Sequence, residues 1–91
     1  MSLDDIRQKI NEIDAALLPL FLDRLDCARE VAAYKKAHQL PILNRDREEA
    51  ILADMADRAG RDQAAVRAFY EGLFAISRQL QEDLLGEDPS C

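Results

Sequence analysis

This 91-residue chain has no tryptophan, and two tyrosines with three phenylalanines hold its aromatic content to 5%. Leucine, isoleucine and alanine must therefore build the core, as they do in helical bundles. Three glycines and three prolines are too few for a β-sandwich or barrel, which needs a turn signal every ~8–12 residues. No apolar run approaches the ~20 residues of a membrane span. The opening MSLDDIRQK lacks a signal peptide's apolar stretch, so the expected compartment is the cytoplasm. Cys27 and Cys91 stand far apart in the chain and support neither a disulfide framework nor a metal site. Positive charge is short too: twelve Lys and Arg against eighteen Asp and Glu leave a net charge of -6. That balance argues against bulk binding of nucleic acid or anionic membrane. What is abundant, 48% hydrophobic and 33% charged residues, suits a single folded helical domain over residues 1–91.

Hydrophobic periodicity predicts an all-α chain of three helices, one long, one short and one of medium length. Ser2, followed by Asp4 and Asp5, forms a Ser-x-x-Asp capping box with acidic residues in the first turn. Leu3, Ile6, Ile10, Ile13, Leu17 and Leu20 then recur at alternating spacings of three and four, a stripe of coiled-coil type. The same spacing continues through Arg24, Cys27, Val31 and Tyr34. Pro41 biases Leu40 away from helical geometry, so the helix ends near Lys36 to His38. Pro19 removes one backbone bond inside it, but the stripe keeps its phase across that position and the helix is read as continuous. A second helix starts at the N-cap Asn44, turns Ile51, Leu52 and Met55 inward, and stops at Gly60. A third begins near Asp62, carries Val66, Phe69, Tyr70, Leu73, Ile76, Leu80 and Leu84 inward, and ends at Gly86. Residues 86–91 read as a frayed polar tail.

A first helix of about 33 residues is about 50 Å long at ~1.5 Å per residue. The other two are too short to cover a stripe of that length, and an exposed strip of this size is an association surface. A homodimer pairing the long helices is the economical solution.

The informative residues are polar ones at apolar positions. Arg24 occupies the stripe between Leu20 and Cys27. Lys35, eleven residues on, lies within ~20° of the same direction and roughly 16 Å away. On the third helix Ser77 is in phase with Leu73 and Leu84, and Gln81 follows one turn later. Glu48 precedes Leu52 by one turn, with Arg47 beside it. Singly, each has an ordinary explanation. Arg24 can snorkel, Lys35 and His38 can complement the helix dipole, Cys27 can fill a core, and Arg7, about 100° off the Arg24 direction, is a solvated charge. Ser77 and Gln81 can bond between helices, and Glu48 can be a first-turn acid. Together, two cations and two neutral polar groups aimed inward from separate helices suit a small polyanion, because guanidinium groups grip carboxylates bidentately. Nothing forms a nucleophile–base pair, a metal cluster or a phosphate-cradling loop.

The series Ile6-Arg7-x-x-Ile10-x-x-Ile13-Asp14, then Leu18, Leu22 and Arg24, then Val31-x-x-x-Lys35, Pro41-Ile42-x-x-x-Asp46-Arg47-Glu48 and Ser77-x-x-x-Gln81 resembles the all-helical, type II class of chorismate mutases. The resemblance runs from Ile6 to Leu85. It implies an intertwined homodimer of three-helix chains with two equivalent sites, no cofactor and no metal. The implied reaction is the [3,3] rearrangement of chorismate to prephenate, toward phenylalanine and tyrosine. By resemblance Arg7 arrives from the partner chain and, with Arg24, binds the substrate's two carboxylates. Lys35 and Gln81 bond the ether oxygen whose bond breaks, Glu48 holds the ring hydroxyl, and Arg47 and Ser77 orient the ring and its carboxylate. Asn44 stands where many members carry Asp. It is an equal N-cap and bears on the ring's C4 substituent.

Such a reaction needs only two things: a flexible substrate held in its folded form, and stabilisation of negative charge growing on the ether oxygen. Lys35 supplies a cation and Gln81 a neutral donor, which implies activity at neutral pH. Two alternatives stay open. One is a 4-amino-4-deoxychorismate mutase or isochorismate pyruvate-lyase on the same scaffold. The other is a non-catalytic helical dimerisation module.

Overall fold

Ser2 opens the first helix, α1 (Leu3–His38), with a reciprocal cap. Its Oγ accepts from the Asp5 N–H at 3.1 Å, and the Asp5 carboxylate accepts from the Ser2 N–H at 3.1 Å. These bonds satisfy two of the donors that a helix start leaves orphaned. Pro19 lies inside α1 without ending it. Ala15 and Pro19 are both exposed, so water can satisfy the carbonyl that loses its partner. The helix closes as a Schellman motif: Gln39 turns left-handed (φ 55°), and Leu40 N–H reaches back to the Lys35 carbonyl at 2.8 Å. At 36 residues, α1 accounts for the molecule's longest dimension of 56 Å.

Asn44 caps α2 (Arg45–Ala59), its Oδ1 accepting from the Arg47 N–H at 3.1 Å. Gly60, at φ +58°, permits the bend that follows. A 3-10 turn (Gly60–Asp62) then leads straight into α3 (Gln63–Leu84). Helical structure therefore runs from Arg45 to Leu84 with no intervening loop. The chain is built as two helical arms, α1 and the bent α2–α3 arm, rather than as three helices parted by loops. The computed structural model describes residues 1–86, and among them there is no strand. The tail expected beyond Gly86, with Cys91, lies outside the described residues.

The α3 helix is the centre of the packing, contacting both α1 and α2. Ala28 and Ala32 of α1, Ala56 of α2, and Leu73, Phe74 and Gln81 of α3 are buried. The uncovered strip expected along α1 is present, whereas several positions expected to face inward are exposed. On α1 the buried positions follow Phe21, Arg24, Leu25, Ala28, Ala32 and Lys35, and every residue before Phe21 is exposed. Leu3, Ile6, Ile10, Ile13, Leu17 and Leu20 all stand open, Leu20 at 64%. The reason is length: 22 residues of α3 span about 33 Å and leave the N-terminal part of α1 uncovered. On α3, Phe69, Ile76 and Leu84 are likewise exposed rather than inward. Cys27, expected as core filler, is exposed too. The radius of gyration is 16.6 Å, against about 12 Å for a globular chain of this length.

Ala32 at 1% exposure marks where the two arms meet most closely. Ala32→Leu should lower stability by about 1–3 kcal/mol through overpacking, seen as a reduced urea midpoint at constant slope. An unchanged midpoint would mean that this seam is open.

Candidate active site

The polar residues that interrupt the apolar pattern converge where the two arms meet. Arg24 and Lys35 from α1, Asn44, Arg47 and Glu48 from the start of α2, and Ser77 and Gln81 from α3 line one cavity of about 310 Å³. That volume lies at the lower end of the range for small-molecule sites. Its apolar floor includes Ala28, Val31, Ile51 and Phe74. Arg7 is not among the lining residues. It stands seventeen positions before Arg24, roughly 25 Å along the same helix, so no rotamer brings it to this cavity within one chain.

A relay of hydrogen bonds fixes the catalytic candidates. The Lys35 ammonium donates to the Ile42 carbonyl, in the segment between α1 and α2, and to Gln81 Oε1 at 3.2 Å. Gln81 Nε2 in turn donates to Ser77 Oγ at 3.1 Å. Gln81 is 5% exposed, yet among the described residues no buried side-chain polar atom lacks a partner. The donor inventory shows what remains. An ammonium has three N–H groups and a carboxamide two. Among the described residues Lys35 and Gln81 therefore each keep one donor uncommitted, and both line the cavity.

Burial pushes the Lys35 ammonium below its usual value of 10.5, and the Glu48 carboxylate pulls it partly back up. Removing water around a cation disfavours its charged form, and a nearby anion favours it. Arg24 is half-buried, with its guanidinium carbon 5.9 Å from the centre of the Phe74 ring. A cation–π contact of this kind holds the group without neutralising it. Among the described residues it has no carboxylate partner. Asn44 and Arg47 are exposed at the rim, and Ser77 and Glu48 are half-buried.

Sequence reasoning missed Arg78. Its Nη1 lies 2.6 Å from both carboxylate oxygens of Glu48, and both residues face the cavity. The signal was present, because Arg78 falls four residues after Phe74 and three before Gln81, on their helix face. Phe74 and the Ile42 carbonyl were also passed over, and a backbone acceptor leaves no mark in residue types.

The match to known proteins agrees with this geometry. The family model described as chorismate mutase type II matches residues 6–82, and the chain belongs to that family. A protein named 4-amino-4-deoxychorismate mutase from Streptomyces pristinaespiralis is 31% identical over 84 residues, covering 89% of this chain and 65% of the relative. A T-protein from Haemophilus influenzae is 36% identical over 67 residues, covering 74% of this chain and 17% of the relative. The chain thus spans less than two thirds of the length of either curated relative. No solved structure matches it significantly. No helix among the described residues is long and apolar enough to cross a membrane.

The Lys35 environment is directly measurable. In a nitrogen-detected titration of the lysine side chains, Lys35 should have a midpoint below 10.5, and Glu48→Gln should lower it further by removing the charge that raises it. Because the folded-state value lies below the unfolded one, stability should rise with pH between that lowered midpoint and 10.5. A Lys35 midpoint at or above the usual value would contradict the cavity geometry.

Proposed function

We propose that this chain is a chorismate mutase, rearranging chorismate to prephenate on the way to phenylalanine and tyrosine. The observation that carries the reading is the pair of donors on Lys35 and Gln81 left uncommitted among the described residues, lining one cavity with an Arg24 guanidinium that has no carboxylate partner there. In the rearrangement one C–O bond breaks as one C–C bond forms within a single molecule. The site then has no proton to shuttle and no intermediate to hold covalently. Arg24 grips a carboxylate and helps confine the substrate in its folded form. Lys35 and Gln81 meet the ether oxygen as negative charge grows there. Donors already anchored to Ile42 and Ser77 need no reorganisation at that moment. Glu48 accepts from the ring hydroxyl, while Arg47 and Ser77 orient the ring and carboxylate.

The reading includes a homodimer. The open α1 stripe and an apolar groove between Leu17, Leu18 and Phe21 of α1 and Phe69, Leu73 and Ile76 of α3 are the surfaces it would bury. A twofold pairing of the long helices lets Arg7 of one copy enter the cavity of the other and join Arg24 in binding the substrate's two carboxylates. A second reading, a mutase for 4-amino-4-deoxychorismate, is supported by the name of the Streptomyces relative. It uses the same donors on a substrate with an amine at C4.

Conversion of chorismate, followed by loss of its absorbance and by product identity, tests the reading. Lys35→Ala or Arg24→Ala should lower kcat/KM by about 10²-fold or more while the oligomeric state persists. Near-parental rates in either variant would remove the assignment. Gln81→Glu should retain activity only at acidic pH, because a glutamate must be protonated to donate.

The shared site has its own test. Arg7→Ala and Lys35→Ala chains should each be nearly inactive, yet mixing and exchanging them should restore up to about a quarter of the parental rate, since half the dimers then hold one intact site. No recovery in verified mixed dimers would exclude a contribution of Arg7 across the interface.

A further inference from the structure

Glu48 is, among the described residues, the one carboxylate on the cavity wall, and it is not available as an isolated anion. Arg78 Nη1 sits 2.6 Å from both of its oxygens. The pair bridges α2 and α3 with side chains 33% (Arg78) and 22% (Glu48) exposed, sheltered enough to hold its geometry better than a fully solvated pair. The rest of the wall carries Arg24, Lys35 and Arg47 and no other acid. Asn44, at the rim, offers a neutral amide whose oxygen is committed to the helix cap. A ligand entering this cavity therefore meets four cations and one carboxylate that a guanidinium already neutralises.

We propose that Arg78 is a specificity-determining residue, making the cavity select a dicarboxylate with a neutral hydroxyl on its ring over one with an ammonium there. The proposal rests on the mutase reading and refines its substrate. A carboxylate has about four lone-pair sites, and Arg78 occupies two, so Glu48 still accepts from a hydroxyl. An ammonium gains little more from Glu48 than a hydroxyl does, because the countercharge is already taken. It also sits within a few ångströms of the Arg78 guanidinium, where repulsion at a half-buried site amounts to several-fold in affinity or more. The 4-amino relative is similar along most of this chain. The difference between the two substrates reduces to this local charge balance, which residues binding the shared carboxylates and ether do not alter.

The experiment measures kcat/KM for chorismate and for 4-amino-4-deoxychorismate with the full chain, its Arg78→Met and Arg78→Gln variants, and Arg78→Lys. Met and Gln preserve helix propensity and remove the charge, and Lys retains it. The parent should favour chorismate. The neutral variants should move the ratio toward the amine by at least about tenfold, and the lysine variant should stay near the parent. Met and Gln are paired so that a fold lost in one leaves the other, with circular dichroism and melting as the check. Two results would overturn the proposal while leaving the chorismate mutase reading intact: an unchanged ratio in both neutral variants, or an equal shift in Arg78→Lys. A parent that favours the amine would overturn the proposal and replace that reading with the second one. No turnover of either acid by the parent would overturn the mutase reading itself, and the proposal with it.

Discussion

A half-buried ammonium ties the site together. Lys35 bonds the segment between α1 and α2 through the Ile42 carbonyl and α3 through Gln81, which in turn bonds Ser77. Three parts of the chain thus meet on one cation. Burying charge disfavours it, as the lowered Lys35 value records. The cost is met by acceptors from two elements and by the Glu48 field rather than by a direct counterion. A direct salt bridge would neutralise this cation, whereas carbonyl and carboxamide acceptors leave its charge uncompensated at the cavity wall. Gln81 makes the same compromise in neutral form. It is the most buried polar side chain described, with one partner on its oxygen and one on its nitrogen. The relay therefore stabilises the junction of the two arms and keeps donors in reserve.

That junction is small, which explains the shape of the molecule. Among the described residues five apolar ones are buried, a modest core for a chain of 91 residues. Half of α1 carries leucines and isoleucines in helical register with nothing over them. Burying a large aliphatic side chain is worth roughly 1.5–3 kcal/mol, so a stripe of six such residues is a strong drive for association. The same asymmetry leaves Arg7 far from any site in its own chain. In the proposed homodimer, a second copy lying along α1 would both cover this stripe and carry Arg7 to the cavity.

Local signals were the legible part. Ser2, Asn44 and Gly60 mark the helix boundaries because capping chemistry depends on one or two residues at a fixed offset. The polar interruptions at Arg24, Lys35, Glu48, Ser77 and Gln81 were legible for a related reason: an apolar period makes an exception visible. The packing faces were misread where two surfaces share one helix. In α1 the stripe through Leu3 and Leu20 is the more hydrophobic, but α3 packs against the Phe21, Ala28 and Ala32 side. The small residues Ala28 and Ala32 allow that close approach, and hydrophobicity alone does not register it. In α3 the same duality sends Phe74 inward and leaves Phe69 and Ile76 outside. Arg78 was passed over because an arginine beside a serine on a charged helix looks like solvated surface until Glu48, thirty residues earlier, is seen against it.

A cationic cavity in a chain of net charge -6 sets the range over which recognition acts. At physiological ionic strength the Debye length is about 8 Å, so most of the eighteen acids are screened from a ligand once it reaches the cavity mouth. There the half-buried cations Arg24, Lys35 and Arg78 are screened least, because protein rather than salt solution lies around them. Long-range repulsion then affects how often a dianion arrives, and short-range attraction affects how long it stays. Close fields are also the ones that distinguish substrates differing by a single group. In the proposed selectivity the pairing of Glu48 with Arg78 is such a field, built from one side chain on each of two helices.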